Sequence, residues 1–330
     1  MQEKINLSVV IPAYNEAQNL PILIGRLVEA ISPLSLNYEI IIVDDGSNDN
    51  TKEILNSERA KNGSVKAIHL SRNFGHQAAL NAGMDYSSGE AVVTMDGDLQ
   101  HPPELIGQMH KEFKNGFDLI LGERISSKEN NIAKNQLSGL FYFIINKISD
   151  FEIRANVADF NLYSRSVINI LKQLPEKDRF LRGLVQWVGF KKIYVKYEAD
   201  KRYKGVSKYS LKKMIKLAIS GITSFSAFPL RISWWAGLTI SLSGFVYGAY
   251  ILYEYFFDRS QIIAGWTSLT IVMLIIGGTQ LMILGMMGEY LFKIFYEIKG
   301  RPLYIIRSTD GFDNLPEDIN RVKYGISAKM

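Results

Sequence analysis

The sequence predicts an α/β fold over residues 1–209, built on a mostly parallel, doubly wound sheet, with an apolar helical segment behind it. Two observations carry this prediction. Between residues 7 and 121, short β-rich runs alternate with stretches of helical spacing, the pattern of strands joined by helical crossovers. Further along, residues 232–257 hold Glu254 as their sole charge and residues 262–287 hold none. Each run exceeds the roughly 20 residues that span a hydrocarbon core.

Taken in order, residues 7–11 form the first strand. Helical spacing follows over 16–31, through Leu20, Leu23, Ile24, Leu27 and Ile31. A continuously apolar second strand covers 38–43, and 48–61 is a helix. The third strand spans 65–70 and the next helix 76–86. The fourth strand is 91–95. The helix over 102–114 has proline near its first turn, and 118–121 is the fifth strand.

Sheets of this kind bind ligands beyond the carboxyl ends of their strands, and the polar residues gather there. The first strand runs into Pro12-Ala13-Tyr14-Asn15-Glu16 and the second into Asp44-Asp45-Gly46-Ser47. The third runs into Ser71-Arg72-Asn73-Phe74-Gly75 and the fourth into Asp96-Gly97-Asp98-Leu99-Gln100. Each alone also reads as a turn; four at corresponding ends predict one crevice. Neither a Gly-x-Gly-x-x-Gly fingerprint nor a Gly-rich Lys-Ser/Thr loop follows the first strand, which disfavours a nicotinamide enzyme and a P-loop ATPase.

The apolar runs predict a membrane hairpin. Trp234, Trp235, Tyr253, Tyr255 and Trp266 fall near their ends, where aromatic rings mark the interface. Two buried core helices are the alternative, but soluble helices of that length keep a polar stripe. Lysine and arginine flank the pair and thin out in the connection at 258–261, so both termini are expected on the cytoplasmic side. No charged-then-apolar leader precedes the first strand, which agrees. Residues 210–230 mix Lys212, Lys213 and Lys216 with apolar positions, as in a helix lying in the membrane plane or on the surface of a soluble domain. The expected layout is thus a catalytic domain over 1–209, an interfacial helix over 210–230, two spans over 231–292 and a cytoplasmic tail over 293–330. Gly277, Gly278, Gly285 and Gly288 permit close helix approach, with the other span or with a second copy in a homo-oligomer. The net charge is +5 with no cysteine among 330 residues, which excludes disulfides and thiolate metal sites. The basic cluster at 201–216 adjoins the apolar runs, so anionic lipid or a phosphorylated substrate suits it better than nucleic acid.

Asp96 and Asp98 flank a glycine at a strand end. Along an extended chain, i and i+2 point the same way, with the Gln100 amide next in phase. That makes an all-oxygen site suited to Mg²⁺ or Mn²⁺; a solvated turn is the bland alternative. In context, residues 9–16, Asp44-Asp45-Gly46-Ser47 with Asp49, and Asp96 to Gln100 before His101-Pro102-Pro103-Glu104 resemble the inverting glycosyltransferases of the GT-A fold. With Arg202-x-x-Gly205-x-Ser207-Lys208 and the apolar hairpin, the chain is similar to the polyprenyl-phosphate glycosyltransferases over residues 5–295. The resemblance implies that Pro12, Tyr14, Glu16, Asp44 and Asp45 line a nucleoside pocket. It implies Asp96, Asp98 and Gln100 as metal ligands, and Arg124 with Lys134 and Ser138 facing an acceptor phosphate. Arg202 and Lys208 would clamp phosphates, and Asp159 would lie near the sugar. Many relatives have arginine where Asn161 stands, so no role is assigned there.

The reaction so implied moves a hexose, UDP-glucose being the best-matched donor, onto undecaprenyl phosphate at the cytoplasmic membrane face. A phosphate acceptor is mostly dianionic at neutral pH, its second pKa being about 6. It therefore needs positioning and charge neutralisation more than a base. Asp159 would orient the sugar; alternatively it caps a helix or pairs with Arg154 or Arg165. Arg124 could instead form a surface ion pair. Gln186-Trp187 is similar to an acceptor motif of processive polysaccharide synthases, but is read as a core tryptophan. A processive synthase and a non-catalytic nucleotide-sugar-binding partner remain the rival functions.

Overall fold

The computed structural model describes residues 4–125, 157–176, 181–198, 228–257 and 265–312. Lys134, Ser138, Arg154, Arg202, Lys208 and nearly all of the expected interfacial helix lie outside them. The chain divides into two compact units: residues 1–214 with 301–330, and residues 215–300.

The first unit is built on one eight-stranded sheet. Its strands are β1 (Leu7–Ala13), β2 (Tyr38–Asp44), β3 (Val65–Leu70), β4 (Ala91–Thr94), β5 (Leu119–Ile125), β6 (Val157–Ser164), β7 (Lys192–Glu198) and β8 (Ile306–Asp310), in the order β7-β5-β6-β4-β1-β2-β3-β8. β4, β1, β2 and β3 run parallel side by side, and β5 pairs β7 in parallel. β6 is antiparallel to both its neighbours and β8 to β3. The α/β reading is thus correct, with the parallel block where the crevice was expected.

β1 is buried along its whole length, as a strand covered on both faces must be. On one face Leu7, Val9 and Ile11 join Leu20, Leu23, Ile24, Leu27 and Ile31 of α1 (Leu20–Ile31) in the main core. On the other, α3 (His76–Tyr86) presses Gly83 so close to β1 that an added Cβ would lie 2.2 Å from Val10 Cγ1. The remaining helices are α2 (Thr51–Lys61), α4 (Ile106–Lys114), α5 (Arg165–Gln173) and α6 (Leu181–Trp187). Ser164 caps α5 by accepting from the Val167 N–H at 3.4 Å.

Helical spacing suggested that the first helix starts at residue 16, but it starts at Leu20. Asn15 takes a left-handed φ of 57°. The N–H groups of Asn15, Glu16 and Ala17 donate instead to Ser47 Oγ, Thr51 Oγ1 and Asp49 Oδ2. The would-be first turn is spent on tying the β1 and β2 ends together.

The second unit holds α7 (Phe228–Phe257) and α8 (Trp266–Ile298), which touch each other. Among the described residues, one helical stretch is long and apolar enough to cross a membrane: Ile275–Ile298, with mean hydropathy 1.3. A shorter apolar stretch, Gly237–Tyr247, lies in α7. The expected pair of spans is therefore matched by one such helix. The residues read as a tail also hold structure, since α8 runs to Ile298 and β8 joins the sheet.

Candidate functional site

The ends of the four parallel strands converge, and their loops are cross-stitched. Asp45 N–H donates to the Ala13 carbonyl at 2.9 Å and Met95 N–H to that of Val10 at 3.1 Å. The Asn48 N–H donates to Asn15 Oδ1 at 2.9 Å. Asp45 accepts the Phe74 and Gly75 N–H groups at 2.7 and 2.9 Å, binding the β2 end to the β3 end. Burial pushes the Asp45 carboxyl up, and the two N–H bonds offset this only in part, so its pKa is raised. Gly46, with φ +69°, lies against the Arg72 backbone so tightly that a Cβ would come within 2.5 Å of it. Glycine is required there on both counts.

These loops enclose a cleft of about 380 Å³ lined by Tyr14, Asp44, Ser47, Lys52, His69, Arg72 and Arg307, among others. Asp44 is its buried acid. Asp44 Oδ1 accepts the Ser47 N–H, and Oδ2 lies 2.9 Å from His69 Nδ1. Burial pushes this carboxyl up, but the His69 and Ser47 bonds outweigh it and hold the pKa below the usual carboxylate value. Of the residues expected around a nucleoside, Tyr14 and Asp44 line the cleft directly. Asp45 is not among the lining residues and instead ties the Phe74 and Gly75 backbone. Glu16 accepts from Asn19 Nδ2 at 2.5 Å.

Asp96, Asp98 and Gln100 follow β4, but not as an extended run. β4 ends at Thr94, and a turn follows in which Leu99 takes a left-handed φ of 65°. That conformation is unusual for a non-glycine residue; Leu99 is held in it by burial in the core. The alternation argument therefore fails, and a turn presents the two acids instead. Gln100 N–H donates to Asp98 Oδ1 at 3.2 Å. A Cβ on Gly97 would lie 3.3 Å from the Pro12 carbonyl, which places this turn against the end of β1.

Asp96 belongs to a denser cluster than its sequence motif suggests. Its N–H donates to His101 Nδ1 at 3.0 Å, and Oδ1 lies 3.4 Å from His76 Nε2. His76 Nε2 also lies 3.3 Å from Asp159 Oδ2, and Arg182 grips Asp159 through Nε and Nη2 at 3.1 and 3.0 Å. Among the described residues, Asp159 thus caps no helix and does not pair with Arg165, whose guanidinium bonds the Gly89 carbonyl. Burial alone would push Asp159 up. The Arg182 charge and the His76 bond prevail and hold its carboxyl far below the usual range. Burial pulls His76 down, but Asp159 and Asp96 raise it above its ordinary value. Arg182 was invisible to sequence reasoning because nothing in a seven-residue helix after β6 marks it as aimed at β6.

Among the described residues, no three His, Asp or Glu side chains form a ready metal cage. Two carboxylates and one amide still fit a hard cation, which commonly keeps substrate phosphates as its other ligands. Asp96 Oδ1 supports the fit, being buried without a hydrogen-bond partner.

Arg124 is exposed near the end of β5, across from Tyr197 of β7. Trp187 is not a core side chain: it is 55% exposed, while Gln186 is buried and accepts from Lys192 Nζ at 2.8 Å. The side chain lies at the end of short α6, past the last position the core covers.

Residues 8–171 match the model of glycosyl transferase family 2. The uncharacterized glycosyltransferase YkcC of Bacillus subtilis (strain 168) is 43% identical over 95% of this chain and 97% of that one. The chain belongs to glycosyl transferase family 2. The SfII prophage-derived bactoprenol glucosyl transferase of Shigella flexneri is 36% identical, across 92% of this transferase and 98% of that protein. The prophage bactoprenol glucosyl transferase homolog of Escherichia coli (strain K12) is 36% identical across 92% and 99%. Because these matches run nearly end to end, they cover the apolar helices as well as the sheet.

Proposed function

We propose that this transferase moves a hexose from a nucleotide-sugar, UDP-glucose by preference, onto a polyprenyl phosphate with inversion, at the cytoplasmic face of the plasma membrane. One observation carries the reading. A carboxylate turn, Asp96 to Asp98, abuts the end of β1 beside a nucleotide-sized cleft, in a chain that continues into a membrane-length apolar helix. The bactoprenol relatives supply the acceptor class.

The residues divide the work. Tyr14 and Asp44 meet the nucleoside, with Pro12, Glu16 and Asp45 shaping its pocket. An ionised Asp44 accepts from a ring N–H, which favours uracil or guanine over cytosine or adenine. Asp96, Asp98 and Gln100 would hold Mg²⁺ or Mn²⁺, which neutralises charge on a leaving diphosphate. Arg124, with Lys134 and Ser138, aims the acceptor phosphate, while Arg202 and Lys208 neutralise donor or acceptor phosphates. Asp159 orients the sugar. A carboxylate held so far below its usual pKa is a poor proton acceptor, which supports orientation over base catalysis.

Topology supports the hairpin. β3 and β8 belong to one sheet but flank the apolar unit in sequence. That arrangement supports a reading in which both ends of the unit stay on one side of the membrane and it crosses an even number of times. Residues 1–209 and the C-terminal strand are then both cytoplasmic.

Membranes carrying the protein, given a panel of labelled nucleotide-sugars with undecaprenyl phosphate and then extracted for lipid, test the reading. Label from UDP-glucose is expected in a single-sugar lipid, and Asp96→Asn is expected to abolish it. Absence of lipid label with every donor would end the proposal, and long polymer would indicate a processive synthase.

A further inference from the structure

The edge strand β8 carries a residue that neither the family match nor the motifs single out. Its register against β3 pairs Leu70 with Ile306 and His69 with Ser308, so Arg307 is the extra residue of a β-bulge. Bulges recur beside active sites because the unpaired residue is re-aimed out of the ladder. Here Arg307 lines the same cleft as Tyr14, Asp44 and Arg72.

The bulge is firmly held on both sides. Ser71 N–H donates to the Ile305 carbonyl at 2.8 Å, and Tyr304 Oη to Asp85 Oδ2 at 2.7 Å. Tyr304 and Ile306 are buried. Beyond the bulge, an Asp310 oxygen lies 3.2 Å from His69 Nε2, whose other ring nitrogen faces Asp44. The 3.2 Å approach lacks hydrogen-bond alignment, since Nε2 has no bonded partner, and is a contact of proximity. A strand that closes a sheet edge could do so without a bulge. This one breaks its ladder where a guanidinium then reaches the cleft.

We propose that Arg307 is a donor-recognition residue, its guanidinium binding the nucleoside end of the nucleotide-sugar opposite Asp44. The inference rests on the transferase reading above and adds a residue to its donor site. The nucleoside end is assigned because Arg307 shares its lining with Tyr14, Asp44 and His69, whereas Asp96 and Asp98 do not line that cleft. A base with a ring N–H beside a carbonyl needs an acceptor and a donor together. Asp44 supplies the first and the planar guanidinium the second.

Binding of UDP, uridine, GDP and guanosine to the full-length protein in detergent tests this. The comparison sets wild type against Arg307→Ala and Arg307→Lys, alongside steady-state kinetics. For the base that the wild type prefers, Arg307→Ala is expected to weaken diphosphate and free nucleoside alike. The loss should be roughly ten- to a hundredfold, the range for a lost charge-assisted hydrogen bond. Donor KM should rise in step, kcat should stay within about twofold, and Arg307→Lys should fall between. Arg307 is exposed and outside the ladder, so an unchanged melting temperature accompanies the expected result. Equal affinities in wild type and Arg307→Ala would overturn the inference. So would a loss confined to the diphosphate, which would move Arg307 to the phosphates. A wild type that binds none of the four probes would sink the transferase reading itself.

Discussion

Asp159 shows how a single side chain acquires its chemistry from partners distant in sequence. Arg182 and His76 converge on it from different helices and favour its ionised form. Asp159→Asn keeps the shape but removes the charge. It is expected to lower kcat by roughly ten- to a hundredfold, as misorientation does, with donor KM unchanged and the pH–rate profile keeping its form. Complete loss with donor binding intact would favour a base instead. Arg182→Ala leaves a buried charge half-paired and should cost roughly 3 kcal/mol, read as a lower melting temperature. Glu39 is the structural counterpart. Buried, it accepts from Ser8 Oγ, Lys66 Nζ and the Ser88 N–H at 2.6–2.7 Å. Burial pushes this carboxyl up, yet these bonds and the Lys66 charge leave its pKa below the ordinary glutamate value. A depressed folded pKa stabilises above the unfolded value and ceases to do so as pH falls through the folded one. Glu39→Gln should therefore lower the melting temperature at pH 7 and do so less as pH drops below 4.5.

Elements succeed here by touching at positions that tolerate nothing larger. α3 delivers His76 to the Asp96–Asp159 cluster from its first turn, and its height on the sheet is set by Gly83 against Val10. Gly83→Ala must push the helix away or strain Val10. Overpacking of that kind costs about 1–3 kcal/mol, and thermal melting should show it with a matching fall in kcat. The turn after β4 works in the opposite sense. Buried Leu99 drives a left-handed backbone, trading local strain for a fixed pose of the two acids.

For the whole molecule, the chain leaves the catalytic unit, forms the apolar helices and returns to finish the sheet. Ending it after Gly300 would remove β8, bare the β3 edge and take Arg307 from the cleft. Loss of donor binding with aggregation is expected, since open edges template pairing. The proposed even-crossing topology is tested with single cysteines, which the cysteine-free chain makes clean. A membrane-impermeant thiol reagent should label position 260 and position 115 from opposite faces of sealed vesicles. Labelling of both from one side would refute the hairpin.

Local pattern alone determined the parallel block, the four polar strand ends and the apolar runs, because strand burial and helix amphipathy leave a periodic trace in neighbouring residues. The acids at 44, 96 and 98 were legible for the same reason, each sitting where a strand must stop. Arg182, the double contact of His76 and the bulged Arg307 were not. Their partners lie 23, 83 and some 240 positions away, and no periodicity relates residues that meet only through sheet order. The tertiary structure decided those, along with the return of the chain to its own sheet edge, because hydrogen bonding between strands ignores the length of chain between them.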